Sequence, residues 1–203
     1  MIYKPHLLIE SKYQYLNKPV AGIDEAGRGP WAGPMVAAVV ILDPNAIPEG
    51  INDSKKLTIK QRTLIFQKLI QVADFGIGIV SVEEIDLFKI TASTTIAMNR
   101  AIEQLRSKPS TLLLDGNAKL QLNVPEIVNI VKGDSQSLSI AAASIIAKVT
   151  RDQIMYDLAK EFPMYNWNTN VGYGTKDHIN AINSYGICKY HRKTFAPIQK
   201  FLS

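Results

Sequence analysis

Residues 20–34, VAGIDEAGRGPWAGP, decide the fold of this chain. The segment begins with an apolar run, follows it with the two acids Asp24 and Glu25, and continues as a glycine-rich stretch. A short apolar run bounded by turn residues is typical of a buried strand. The segment therefore predicts a strand that delivers two carboxylates to a loop.

Outward from this segment, short apolar runs alternate with longer stretches of helical period, which indicates an α/β layer fold. We predict strands at residues 20–24, 35–42, 75–82, 111–115 and 127–131. We predict helices at residues 59–73, 93–105 and 137–162, the last of them closed by Pro163.

The predicted connections indicate a mixed sheet. Strands one to three have short connections and should form an antiparallel meander, whereas helices separating strands three, four and five imply parallel crossovers. Residues 1–163 would form this α/β domain. Residues 164–203 change in composition and would form a small helical extension packed on the same domain.

The composition is that of a soluble globular protein, with 46% apolar and 20% charged residues in 203. The single cysteine, Cys188, excludes an internal disulfide and a cysteine-based zinc site, and it fits a reducing compartment. The longest apolar run, residues 35–42, is too short to span a bilayer, and the N-terminus lacks a secretion signal. We therefore expect a cytoplasmic protein without a membrane partner.

The formal net charge of +5 is concentrated near the C-terminus. From residue 171 onward, five lysines and arginines stand against one acid, Asp177. Clustered positive charge can neutralise the phosphates of a nucleic acid, but it can also be an ordinary solvated surface. The charge alone does not decide between these interpretations.

Acids follow three of the predicted strands. Asp24 and Glu25 end the first strand, Asp115 ends the fourth, and Asp134 follows the fifth. Any one of them could be a turn residue or a helix N-cap. Because the carboxyl ends of parallel strands meet at one edge of a sheet, the repeated pattern predicts a shared carboxylate site. Such a cluster repels itself unless hard cations such as Mg²⁺ bridge it.

Residues 22–38, GIDEAGRGPWAGPMVAA, resemble the signature of the ribonuclease HII family, the type 2 ribonucleases H. Further blocks follow in family order: DSKKL at 53–57, LDG at 114–116, KGD at 132–134, AAASIIAKVTRD at 141–152, GYGTK at 172–176 and HRKTFAP at 191–197. The chain departs from the usual sequence of the family at residues 88–94 and 187–190.

This resemblance implies a ribonuclease H-like fold, a five-stranded mixed sheet flanked by helices, with a C-terminal helical portion. It implies an endoribonuclease that hydrolyses the RNA strand of RNA/DNA hybrids and nicks 5′ to ribonucleotides embedded in duplex DNA, as in ribonucleotide excision repair. The partners would be these duplexes, and the protein would act as a monomer. The products would be 3′-hydroxyl and 5′-phosphate ends.

The family's four catalytic, metal-binding acids map onto Asp24, Glu25, Asp115 and Asp134, and the cofactors would be two Mg²⁺ or Mn²⁺ ions. The resemblance also implies a set of substrate-binding residues. They are Gly27, Arg28, Gly29, Tyr173, Lys55, Arg192 and Lys193.

The glycine segment and the tyrosine would read the ribose 2′-hydroxyl and sugar, and the remaining basic residues would contact phosphates. Alternatively, the glycine segment is a plain tight turn, the tyrosine is a core or surface residue whose hydroxyl is hydrogen-bonded nearby, and the basic residues are ordinary solvated charge.

Other interpretations remain open. An HIII-type enzyme shares the acids without junction specificity, but usually has an additional N-terminal domain, for which residues 1–23 are too short. A non-catalytic nucleic-acid binding module would be indicated by the loss of an acid, and all four are present. Residues 199–202 could make a weak sliding-clamp contact or simply end a packed helix. Asp152 is left out of the site, as an exposed helical residue or a partner of Arg151 or Lys148.

Overall fold

The computed structural model describes residues 5–13 and 18–202, so residues 1–4 and 14–17 of the predicted domain and Ser203 of the extension lie outside it. The elements follow in chain order. They are α1 (Leu8–Tyr13), β1 (Val20–Ala26), β2 (Met35–Ile41), α2 (Ile59–Val72), β3 (Asp74–Val80), α3 (Val82–Glu103), β4 (Thr111–Asp115), β5 (Glu126–Ile130), α4 (Leu138–Glu161), α5 (Trp167–Asn170), α6 (Lys176–Tyr185) and α7 (Ala196–Gln199).

The five strands form one mixed sheet in the order β3-β2-β1-β4-β5. β2 pairs antiparallel with both β1 and β3, whereas β1–β4 and β4–β5 are parallel pairs. Ile23 on β1 lies opposite Leu114 on β4, so the next residues, Asp24 and Asp115, lie at the same end of this parallel pair. The predicted mixed α/β sheet is confirmed.

Two predicted connections were wrong. β2 and β3 pair as a meander, but the chain between them holds α2 and is therefore not short. Residues 116–125, all of which the structure describes, join the parallel strands β4 and β5 without a helix. Their sequence has no helical period, and Leu122 instead buries itself in the core together with Leu120 and Val124.

Helices cover both faces of the sheet. α3 packs on one face, and α2 and α4 pack on the other. Gly22 of β1 allows α4 to approach closely, because a Cβ atom there would overlap the backbone of Ser139. On the other face, a Cβ atom on Gly78 would overlap the carbonyl of Ala97 in α3.

α3 begins at Val82, well before the predicted start at residue 93. Ser81 caps it, accepting from the backbone of Glu84 while the Glu84 carboxylate accepts from the Ser81 N–H. Lys89 interrupts the helix with a φ of 66°, so α3 is two helical stretches joined by a kink. The kink lies in residues 88–94, which depart from the usual family sequence. Because it interrupts the helix, residues 82–92 do not continue the apolar period from which the helix was predicted.

The third predicted helix is confirmed as α4, with Ser137 as its N-cap and Phe162 as its C-cap before Pro163. The short helices α5–α7 pack against the end of α4 through a separate apolar cluster. Its members include Met155, Trp167, Ile182 and Ile198. Within the described part of the chain, no helix has both the length and the apolar character needed to cross a membrane.

Candidate active site

The four acids expected at the strand ends lie at one edge of the sheet. Asp24 and Glu25 belong to the end of β1, Asp115 ends β4, and Asp134 lies in a 3-10 turn between β5 and α4. The backbone N–H of Gly133 donates to Asp115 Oδ1 at 2.7 Å, which ties the turn that carries Asp134 to the end of β4. The parallel pairing thus brings together acids that are far apart in sequence.

Burial and like charge disfavour ionisation of the acids on β1. Burial, then the carboxylates of Glu25 and Asp115, raise the pKa of Asp24 well above its usual value. Burial also raises the pKa of Glu25, although Arg28 Nη1, 3.4 Å from Glu25 Oε1, opposes the shift. The strand-end carboxylates are therefore short of positive charge.

Lys55 is a cation placed among these acids. Its Nζ lies 3.3 Å from Asp134 Oδ2, and the backbone N–H of Lys55 donates to Asp53, which caps the local 3-10 turn. Burial lowers the pKa of Lys55, but Asp134 and its neighbours outweigh this and raise it overall. Burial, then Asp115 and Asp53, raise the pKa of Asp134 in spite of Lys55.

The acids on β1 open into a cleft of about 390 Å³. Seven of the expected residues line it: Asp24, Glu25, Gly27, Arg28, Gly29, Lys55 and Tyr173. Ser54, Ser144, Lys148 and Arg151 also line it, although the sequence did not place them there. Ser144 hydrogen-bonds to Ser54 at 2.7 Å.

The glycine loop and Tyr173 lie next to each other in the cleft. Gly27 has a φ of +99°, a conformation that favours glycine, and the following Arg28 and Gly29 are exposed. A Cβ atom on Gly29 would lie 3.5 Å from the ring of Tyr173. Tyr173 is 47% exposed, so it is not a core tyrosine.

Arg192 was expected to contact phosphate, and the structure contradicts this. Its side chain is fully buried and makes five hydrogen bonds, of 2.6–3.2 Å, to the backbone carbonyls of Gly27, Arg28, Gly33 and Pro34. Burial lowers its pKa to about 9. Because all of its donors point into the glycine loop, Arg192 holds the loop from inside and cannot reach a phosphate.

Arg151 supports the same loop from the α4 side. It donates to the carbonyls of Ala32, Pro34 and Val171 at 3.0–3.1 Å, and burial lowers its pKa to about 10. Neither buried arginine pairs with a carboxylate among the described residues. The sequence alone did not reveal this role for Arg151.

The structure also places Asp152, which was left out of the site, and Lys193, which was expected to contact phosphate. Asp152 pairs with Lys148 at 2.7 Å, as one of the predicted alternatives had it, but it is buried and does not lie on an exposed helix face. Lys193 is exposed and does not line the cleft; its backbone N–H donates to Asp86 at 2.9 Å.

Two buried histidines support the backbone of Tyr173. His178 Nδ1 donates to the Tyr173 carbonyl at 2.9 Å, and its Nε2 accepts from Trp167 and from His191 Nε2, each at 3.1 Å. His191 Nδ1 then accepts the backbone N–H of Cys188 at 3.0 Å. This arrangement uses both imidazoles in their neutral forms, in agreement with the pKa of His191, which burial and then His178 lower to about 4.

Comparison with known proteins identifies the family. The family model described as Ribonuclease HII matches residues 21–198, which include all of the residues above. The chain belongs to the ribonuclease HII family. Ribonuclease HII of Wolbachia sp. subsp. Brugia malayi (strain TRS) is 52% identical over 96% of this chain and 94% of the relative. Ribonuclease HII of Wolbachia sp. subsp. Drosophila simulans (strain wRi) is 50% identical over 98% of each chain.

Solved structures agree with the ribonuclease HII assignment. The ribonuclease H2 from Pyrococcus horikoshii OT3 superposes with a TM-score of 0.72 at 29% identity, over 90% of this chain and 96% of that one. RNase HII from Archaeoglobus fulgidus, solved in complex with PCNA, has a TM-score of 0.72 at 26% identity over 87% and 95% of the two chains. Bst-RNase HIII in complex with Mn²⁺ shares the fold, with a TM-score of 0.72 at 20% identity over 94% of this chain and 71% of that one.

Proposed function

We propose that the protein hydrolyses the RNA strand of RNA/DNA hybrids and nicks duplex DNA 5′ to embedded ribonucleotides, leaving 3′-hydroxyl and 5′-phosphate ends. One observation carries this proposal: the carboxylates of Asp24 and Glu25 open into the same cleft as Gly29 and Tyr173. A cleft with acids on one side and an exposed backbone and an aromatic ring on the other suits a sugar-phosphate backbone.

The acids suit divalent cations. Asp24, Glu25, Asp115 and Asp134 offer the oxygen ligands that Mg²⁺ and Mn²⁺ accept, and a cation would relieve the repulsion that raises the pKa of Asp24. With the side chains as they lie in the described residues, no three of the His, Cys, Asp and Glu side chains form a ready-made metal group. We therefore propose that the free protein binds these ions weakly and that the phosphate oxygens of the substrate complete the ligand set.

When bound, two such ions would supply an activated water and stabilise the charge that develops on the phosphate. The chain's own residues position the substrate. Exposed backbone groups at Arg28 and Gly29 can approach a ribose closely and read its 2′-hydroxyl, while the Tyr173 ring packs on the neighbouring sugar. Lys55, with its side chain 77% exposed, can balance a phosphate beside Asp134.

A gel assay tests this function. Three duplexes are incubated with the protein and Mg²⁺: one with a single ribonucleotide in DNA, one with an all-RNA strand, and one of DNA alone. We expect a single nick 5′ to the lone ribonucleotide, multiple cuts in the RNA strand, no cut in DNA, and no activity in EDTA. Cleavage of the hybrid but not of the lone ribonucleotide would favour the HIII-type alternative. Binding without any cleavage would favour the non-catalytic module.

Other assignments remain proposals. Lys189 and Lys193 are exposed and could contact the duplex outside the cleft. Residues 164–203 would form an extension of the main domain, because Trp167 and Met155 share one apolar cluster. A clamp contact near the C-terminus would rely on Leu202, which is 48% exposed, since Phe201 packs against that cluster. The monomeric state stays a prediction.

A further inference from the structure

Glu10 is a buried acid that the proposed chemistry does not use. It lies on α1, is only 6% exposed, and its Oε1 accepts three hydrogen bonds. The donors are Ser137 Oγ at 2.6 Å, the Ser139 backbone N–H at 2.9 Å and Ser139 Oγ at 2.6 Å. Glu10 therefore adds a carboxylate to the first turn of α4, where the helix dipole and the free N–H groups favour an anion.

That turn lies between two of the catalytic acids. Ser137 is the N-cap of α4, and its backbone N–H donates to Gly133 at 2.8 Å, in the 3-10 turn that carries Asp134. Ser139 packs directly against Gly22 of β1, two residues before Asp24. Glu10 thus connects to the point where the support of Asp134 meets the support of Asp24.

The N-terminal segment contacts the Asp134 turn at a second point. The backbone N–H of His6 donates to the Gln136 carbonyl at 3.2 Å, and His6 forms a parallel bridge with Ser137. Gln136 in turn donates through its side chain to the carbonyl of Val131 at 2.7 Å. His6 and Glu10 are therefore hydrogen-bonded to Gln136, Ser137 and Ser139, in the segment that leads from Asp134 into α4.

A contribution to stability does not by itself explain why an acid is buried at position 10. Glu10 Oε2 is buried, and no hydrogen-bond donor among the described residues reaches it. A buried carboxylate oxygen without a partner opposes folding, and a polar group that is kept at such a cost calls for another explanation.

We propose that Glu10 is a positioning residue of the active site: through Ser137 and Ser139 it sets the Asp134 turn against the end of β1, and so the separation of Asp134 and Asp24. This inference rests on the proposed role of those two acids as metal ligands. Glu10 itself does not line the cleft and would contact neither the ions nor the duplex.

The test is Mn²⁺ binding to the metal-free full-length protein, measured by calorimetry without substrate, together with kcat and KM on a hybrid duplex. For Glu10→Ala we expect Mn²⁺ affinity and kcat to fall about tenfold each, because outer supports of metal ligands typically matter at this level. The KM for the duplex should stay close to the wild-type value. Glu10→Gln keeps an acceptor oxygen for the two serines and should recover most of the Mn²⁺ affinity.

Ile9→Ala is the matched control. Ile9 is the neighbour of Glu10 on α1 and packs against an apolar cluster that contains Val20 and Ile140, and its side chain has no group that could hydrogen-bond to the serines. It should lower the melting temperature as Glu10→Ala does, but leave Mn²⁺ affinity and kcat unchanged. If both variants lose Mn²⁺ affinity equally, or if Glu10→Ala keeps the wild-type affinity and kcat, Glu10 only stabilises α1 and the inference is wrong. Absence of cleavage by the wild-type protein would instead contradict the proposed function.

Discussion

The two sides of the cleft bury charge in opposite ways. On the acid side, Asp24 and Asp134 are buried next to other carboxylates, and their pKa values are raised. On the loop side, Arg151 and Arg192 are buried with no carboxylate partner in the described part of the chain, and their guanidinium groups donate hydrogen bonds to backbone carbonyls.

This difference between the buried arginines and the buried acids distinguishes charges that stabilise the fold from charges that are available to a ligand. The arginines have found their partners within the fold, so the loop side is complete without any ligand. Among the described residues, the ion-pair partners of these acids are Lys55 and Arg28, whose side chains are 77% and 46% exposed. A charge imbalance that the fold leaves unresolved indicates the place where a ligand of opposite charge acts.

The largest expected effect comes from removing charge on the acid side. Asp24→Asn or Asp115→Asn should reduce kcat/KM by about 10⁴-fold, roughly 5 kcal/mol in transition-state terms, because each would remove a proposed metal ligand. Asp157→Asn, an exposed change on α4, should leave kcat/KM unchanged. Robust cleavage by either site variant at saturating Mg²⁺ would contradict the assignment of these acids.

The stability of Asp24→Asn should change in the opposite direction. Because the folded-state pKa of Asp24 is raised, its contribution to stability is present at acid pH and is lost as pH rises through that pKa. In EDTA at pH 7, the variant should therefore melt at the same temperature as the wild type or higher. Melting curves at pH 4 and pH 7 measure this, and the advantage of the variant should shrink at pH 4.

Removing charge on the loop side should instead reduce stability. Arg192→Met removes the donor from the carbonyls of Gly27, Arg28 and Gly33 and should lower the free energy of unfolding by about 3–5 kcal/mol. Lys193→Met, the exposed neighbour, should change it by less than about 0.5 kcal/mol. Urea denaturation of both variants distinguishes a loop support from a surface cation, and equal stability of the two variants would contradict the role of Arg192 as a support of the loop.

Recognition of the sugar by the loop side should be separable from the hydrolysis that the acid side supports. Tyr173→Ala should reduce kcat/KM on a single embedded ribonucleotide by about 30- to 1,000-fold, or ~2–4 kcal/mol, and much less on a long hybrid with many registers. Gly29→Ala, which the free fold tolerates, should act in the same direction by blocking close backbone approach. Equal losses on both substrates would mean that these residues serve general binding.

Below the loop, the histidine pair should make stability depend on pH. The pKa of His191 is lowered to about 4, so stability is fully present above its unfolded pKa of about 6.5 and is lost as pH falls toward 4. The loss should reach at most about 3 kcal/mol. His191→Gln should flatten this dependence in urea titrations, whereas the exposed His6→Gln should not; an unchanged slope in His191→Gln would exclude the pair as its source.

The smallest effect concerns the outer basic residues. Lys189→Ala combined with Lys193→Ala should weaken duplex binding and reduce the slope of log affinity against log salt by up to about two. Arg192 is left out because it is buried. Fluorescence anisotropy at several salt concentrations measures the slope, and an unchanged slope would make both lysines ordinary solvated charge.

The sequence by itself determined the sheet and the acids at its edge. Apolar runs followed by Asp24, Asp115 and Asp134 indicate strands, because the period of a strand is a local property of the chain, and parallel strands of one sheet place their carboxyl ends together. The motif around Gly27 to Gly29 likewise identified the loop, although not what holds it in place.

Only the tertiary structure decided which charged side chains are buried and support the loop or the Asp134 turn. Arg192, read from the sequence, belongs to an exposed basic segment, and Glu10 is an ordinary acid in a short helix. Their burial depends on the carbonyls of residues 27–34 and on Ser137 and Ser139, which are far away along the chain. A charged side chain is buried only where such distant groups converge on it, and that convergence has no local sequence signal.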